Sequence, residues 1–270
     1  MDLTRPQKGY TQASHGQVHW RMWGSASDSG APDLYCLHPS PFSGIAYEDL
    51  APLLASNRRV IAPDYPGFGG SDRMPQRATI ELYAEALREI AGQLSGGAKI
   101  DLLGFHTGCS VSAEIAAAYP DLVARLCLID APTFEADAAA AMAAKFEKPF
   151  AIENDLESLA PAWNSTFSGR RELQGEDAAF AMFVEQLRAG TGMNDAFRAA
   201  FSYDWRPRFA RIECPALVLA TQSSLLEPTR LAAEAIAQAH YVERLDITRS
   251  VLNAAAAETA AEVRLFLADD

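Results

Sequence analysis

Two glycines frame the side chain best placed for chemistry. Gly104-Phe105-His106-Thr107-Gly108 joins an apolar run of strand length, Ile100–Phe105, to a stretch of small residues of helix length, Thr107–Ala118. A sharp turn from strand to helix needs glycines where the two backbones approach. It thrusts the residue between them out beside a helix N-terminus, where backbone N–H groups are unpaired. That residue is His106. An imidazole, with an ordinary pKa of about 6.5, moves a proton near neutral pH or attacks a carbonyl carbon. Asp130 closes the apolar run 126–129 and is a candidate to orient that imidazole and raise its basicity. The plainer alternatives are a histidine that only lines a pocket and an aspartate that caps a chain end or bonds backbone.

Alternating strands and helices must position these groups. Residues 9–14 and 18–23 read as an opening hairpin around His15-Gly16-Gln17, and a Ser/Gly/Asp/Pro loop follows at 25–32. Strands are then expected at 34–38, 59–63, 100–105 and 126–129, with helices at 46–56, 79–94 and 107–118. From 133 to 211 no strand-like run occurs, only helical segments. Alternation resumes with a strand at 216–220, a helix at 228–239, a strand at 242–247 and a last helix to 267. The pattern predicts an α/β fold: a mostly parallel sheet of about eight strands with helices on both faces. Residues 1–132 and 212–270 would form the core, and 133–211 a helical cap over the carboxyl edge of the sheet, where such folds bind ligands.

Four spacings in chain order resemble the α/β-hydrolase superfamily. Leu37-His38-Pro39-Ser40-Pro41 resembles its oxyanion loop. Asp64-Tyr65-Pro66-Gly67-Phe68-Gly69-Gly70-Ser71-Asp72 resembles its Asp-x-x-Gly-x-Gly-x-Ser turn. Gly104–Gly108 has the frame of the Gly-x-nucleophile-x-Gly elbow, and Cys214-Pro215-Ala216-Leu217-Val218-Leu219 looks like the strand before the catalytic acid. The resemblance implies an α/β-hydrolase fold with a helical cap, an oxyanion hole from the N–H groups of Ser40 and Thr107, and a nucleophile position taken by His106. It also implies a divergent site. Ser224 stands where the acid is expected, and the loop Thr248-Arg249-Ser250 lacks the expected histidine, so a conventional Ser-His-Asp relay cannot be assembled. Asp64 and His38 would mainly hold their loops.

Around this centre, His38, Phe42, Phe105, Trp163, Phe167, Phe183, Ser224 and Arg249 are the expected substrate-binding residues, the aromatic ones lining an apolar pocket. The four cysteines lack CxxC spacing, the five histidines are scattered, and no glycine-rich loop has a dinucleotide or phosphate-binding form. Neither a metal nor a cofactor is expected. A formal charge of −12 argues against nucleic acid and anionic membranes as partners; the expected pocket points to a small-molecule substrate, and a homodimer would fit the resemblance. The opening Met1-Asp2-Leu3-Thr4-Arg5 has no apolar leader core, so the cytoplasm is the expected location. Three functions stay open. The first is a lyase, decarboxylase, isomerase or C–C/C–O cleaving enzyme that uses His106 as base or nucleophile on a hydrophobic or aromatic carbonyl compound. The second is an unconventional ester or lactone hydrolase, and the third a non-catalytic binding protein that kept the pocket.

Overall fold

The computed structural model describes residues 3–26 and 30–268, so the loop expected at 25–32 lies partly outside the described residues. The hairpin β1 (Gln7–Ala13) and β2 (Gly16–Trp23) opens the chain. Six strands follow: β3 (Leu34–Leu37), β4 (Val60–Pro63), β5 (Ile100–Phe105), β6 (Val123–Ile129), β7 (Ala216–Thr221) and β8 (Ala239–Arg244). They form one eight-stranded sheet in the order β1-β2-β4-β3-β5-β6-β7-β8. Only the β1–β2 and β2–β4 pairs are antiparallel. Strands β3, β4 and β7 are buried at every position, as strands covered on both faces must be.

Side chains alternate between two cores, following the period of two along a strand. Leu102, Leu128 and Val218 point to one face, while Leu103, Cys127 and Leu217 point to the other. Helices α1 (Ala51–Leu54), α2 (Ile80–Leu94) and α3 (Thr107–Ala118) precede the break in alternation. Helix α2 starts where Thr79 caps it, its hydroxyl accepting from the Leu82 N–H, and it buries Tyr83, Leu87 and Ile90 against the sheet.

Between β6 and β7 the chain is helical: α4 (Ala136–Lys145), α5 (Ala160–Ala162), α6 (Arg171–Gln174), α7 (Glu176–Arg188), α8 (Asp195–Phe201) and α9 (Trp205–Phe209), with no strand among the described residues. Buried hydrogen bonds tie this insertion to the sheet layers. The Ser43 hydroxyl donates to Glu185 at 2.5 Å and the Tyr203 hydroxyl to Glu114 at 2.7 Å. Helices α10 (Leu226–Ala235) and α11 (Ala256–Ala268) complete the fold. No helix among the described residues is long and apolar enough to cross a membrane.

Several elements differ from the sequence reading: β6 begins at Val123, before the expected 126, and α10 ends at Ala235, before the expected 239. The helix expected at 46–56 is a short turn, Gly44–Tyr47, followed by α1. Pro52, lacking an N–H and crowding the carbonyl four residues back, stops a helix from running through. Strand β8 begins three residues before the expected 242, with His240 inside it opposite Leu217. It is an edge strand with no fully buried position, so its apolar run did not mark its start.

Candidate active site

His106 sits at the turn between β5 and α3 with φ 51° and ψ −118°. A positive φ at a residue bearing a β-carbon costs on the order of 1–3 kcal/mol and persists only where the surroundings enforce it. Here they do. The His106 N–H donates to Ile129 O at 3.2 Å, and its carbonyl accepts from Cys109 N at 2.8 Å. A β-carbon on Gly108 would lie 1.9 Å from Leu37 O, and one on Gly104 2.4 Å from Gly108 O. The turn exists because both positions are glycine.

The imidazole stacks on Phe105, with ring centroids 3.9 Å apart, and lines a cavity of about 280 Å³ between the carboxyl edge of the sheet and the insertion. Its ring nitrogens have no hydrogen-bond partner among the described residues. Burial, and then the positive charge of Arg170, pull its pKa down to about 4. The imidazole is therefore neutral at physiological pH, with a free lone pair, and is not the half-titrated base that an ordinary pKa would make it.

Of the residues expected around it, the cavity brings together Phe42, Phe105, Asp130 and Arg249. The expected contact from Asp130 to His106 is not made. Oδ1 of Asp130 accepts from Thr221 N at 2.8 Å and Oδ2 from Thr221 Oγ1 at 2.6 Å, so both oxygens serve the adjacent strand. Burial raises its pKa, and the Thr221 hydrogen bonds offset part of that rise.

His38 is wholly buried and does not line the cavity. Its Nε2 accepts from Tyr65 N at 3.0 Å, its Nδ1 meets Pro39 O at 3.0 Å, and its ring stacks on Tyr65. It holds the loop, which corrects its assignment to substrate. Ser40 and Thr107 are buried, and their N–H groups make no hydrogen bond among the described residues; Pro39 and Phe42, not Ser40, supply the cavity wall from that loop.

Trp163, Phe167 and Phe183 also stand outside the cavity. They pack with Phe180 into an aromatic cluster of the insertion, Trp163 lying 4.2 Å from Phe167 and 5.2 Å from Phe183 between centroids. Aromatic side chains at helical spacing satisfied one another. Ser224 is exposed, and its neighbour Ser223 lines the cavity instead. Cys109 is buried, with its thiol on Gly104 O and Ile129 O and its pKa pushed up by burial. His15 and His19 stand four residues apart on the hairpin, but His19 bonds Asp64 at 2.8 Å. No grouping of three metal-binding side chains occurs among the described residues.

Sequence reasoning missed Arg170 and Gln174, both on the cavity wall. Arg170 lies over the Phe42 ring, 5.1 Å from its centroid, and donates to Ser165 O at 3.0 Å. Gln174 donates to Asn253 Oδ1 at 2.8 Å and Ser250 Oγ at 3.3 Å. The one sequence signal was the helix break at Gly169 followed by two arginines.

The elbow, the sheet order and the helical insertion coincide with a family whose sequence profile, described as the alpha/beta hydrolase family, matches residues 34–261. The chain belongs to the alpha/beta hydrolase family. Among this hydrolase-family chain's relatives is a pyrrolizixenacetamide deacetylase from Xenorhabdus hominickii, 26% identical over 216 residues, 77% of this chain and 80% of that one. A soluble epoxide hydrolase from Corynebacterium sp. (strain C12) is 33% identical over 123 residues, 44% of this chain and 42% of that enzyme. The matches span less than half the length of two of the curated relatives. The fold is that of an enol-lactonase from Burkholderia xenovorans LB400, with a TM-score of 0.76 at 21% identity, covering 97% of this chain and 100% of the other.

Proposed function

We propose that this hydrolase-family chain is a cofactor-independent small-molecule enzyme. In this reading the neutral imidazole of His106 acts as nucleophile or base on a hydrophobic or aromatic carbonyl compound, cleaving or rearranging a C–C or C–O bond beside the carbonyl. The observation that carries it is an imidazole held at the elbow in a strained backbone, lining the cavity, with no protein group on either nitrogen. Structural histidines are normally hydrogen-bonded, as His38 is on both nitrogens.

A pKa near 4 makes His106 a weak base at pH 7 but leaves it fully deprotonated, which favours attack on a carbonyl carbon. The unbonded N–H of Thr107, at the start of α3, is the donor nearest in the chain for the oxygen that gains charge. A conventional relay finds no support, because Arg249 occupies the cavity from the loop where the histidine was expected and Ser224 is exposed. Hydrolysis of an ester or lactone through an acyl-imidazole is the second reading, supported by relatives named as a deacetylase and an enol-lactonase.

The test is a turnover screen of aryl esters, enol-lactones and β-keto acids, with wild type beside His106→Ala. The expected result is turnover in wild type and a kcat lower by about 10²–10⁴-fold in the variant, with KM little changed. No turnover of any compound by wild type, or equal turnover by both proteins, would leave a binding protein as the better account.

A further inference from the structure

The cavity beside His106 is cationic, in a protein whose formal net charge is −12. Its charged lining groups are Arg170, Arg249 and Asp130. Asp130 spends both oxygens on Thr221, and neither arginine forms an ion pair among the described residues. Arg170 is the telling one. Its guanidinium is fixed over Phe42 with one N–H on Ser165 O, which leaves further donors without partners at the wall of the cavity. A guanidinium carries five N–H donors in a planar fork that matches a carboxylate in a bidentate pair. Arg170 is half-buried with no counter-charge among the described residues, so its free donors are open to an anion entering the cavity.

A second observation on the same wall narrows the ligand. Asp49 can only accept, and Asn253 Nδ2 donates to it at 2.9 Å, which turns Asn253 Oδ1 toward Gln174. Gln174 Nε2 donates to that oxygen at 2.8 Å. The amide orientation of Gln174 is thereby fixed, and its Oε1 is left buried with no partner. A buried acceptor without a donor is unfavourable, and a ligand O–H or N–H would satisfy it.

We infer that the substrate is a small organic carboxylate carrying a hydroxyl or N–H donor. Its carboxylate pairs with Arg170 and its donor with Gln174 Oε1, making Arg170 the specificity-determining residue. The inference rests on the reading of this cavity as the reaction site. It also has a consequence for His106: a carboxylate on Arg170 neutralises the charge that helps hold the imidazole pKa down, so the imidazole becomes more basic when substrate is bound.

The test is calorimetric titration at low salt with hydroxy-substituted and plain benzoates, each beside its neutral amide. Wild type, His106→Ala, Arg170→Gln and Arg170→Lys are compared after thermal melts show each folded. The carboxylate should bind at least about tenfold more tightly than its amide in wild type and in His106→Ala. The preference should vanish in Arg170→Gln and return in part in Arg170→Lys, and hydroxybenzoates should bind more tightly than benzoate. Equal affinity for carboxylate and amide, no binding by any probe, or a preference that survives in Arg170→Gln would overturn the inference. A preference kept in His106→Ala beside undiminished turnover would sink the catalytic reading alone. Lost turnover without any carboxylate preference would sink only the assignment of Arg170.

Discussion

Replacing His38 with Gln should remove a defined part of the protein's sensitivity to acid. His38 has no solvent exposure, accepts a hydrogen bond from Tyr65 N and stacks on the Tyr65 ring at 3.8 Å. Burial pulls its pKa to about 4, against an ordinary 6.5; Asp64 opposes that shift without reversing it. Between those two values the unfolded chain binds a proton that the native protein refuses, so stability rises with pH across that window. The contribution is complete above an ordinary imidazole pKa and is lost as pH falls toward the folded value. From pH 7.5 to 5.0 the linkage relation gives a loss of about 2 kcal/mol from His38 alone, large against a total stability of about 5–15 kcal/mol. The assay is urea unfolding of wild type and His38→Gln at both pH values. His106 and the carboxylates contribute in both proteins, so the difference of differences isolates His38. The variant cannot titrate at position 38, so its fall toward pH 5.0 should be smaller by about 2 kcal/mol. Parallel falls in the two proteins would refute a buried neutral His38.

The elbow, the acid and the nucleophile position each carry a further prediction. Gly108→Ala puts a β-carbon 1.9 Å from Leu37 O, and the loss should exceed about 3 kcal/mol, read as a collapsed Tm or insoluble protein; a Tm like wild type would mean the elbow is looser than described. Thr221→Val removes the hydroxyl donor at 2.6 Å from the Asp130 carboxylate and should cost about 1.5–3 kcal/mol by urea unfolding near neutral pH, less in acid as the carboxyl protonates; no change would mean that this bond is not formed in solution. His106→Ser should not become a conventional esterase, since Arg249 stands where a histidine would be needed; phosphonate-sensitive hydrolysis of nitrophenyl esters by that variant would show a base in reach that has been overlooked.

What could be read from the sequence was local. Gly104 and Gly108 bracket His106 at the spacing of a strand-to-helix turn, and the turn stands there. Arg249, in the loop between the last strand and the terminal helix, was expected at the site and lines the cavity. What escaped depends on register and on contacts between distant segments. The Asp130–Thr221 pair joins residues 91 apart, and it forms because β6 and β7 run parallel with Ile129 opposite Leu219. Arg170 meets Phe42, and Gln174 meets Asn253, only because the insertion folds back over the sheet edge. Periodicity marks the buried face of a helix but not its neighbour, so Trp163, Phe167 and Phe183 looked like pocket walls and are a cluster of their own.

The central claim is that the chemistry belongs to a neutral, unpartnered imidazole at position 106. The pH dependence of kcat/KM tests it most directly, because that ratio reports ionisations of the free enzyme. With a substrate from the turnover screen that does not itself titrate near pH 4–8, the account predicts a flat profile from about pH 5.5 to 8. An acid limb should centre near the His106 pKa of about 4 and be absent from the residual rate of His106→Ala. A limb at the ordinary imidazole pKa of about 6.5, or one that persists unchanged in His106→Ala, would contradict it.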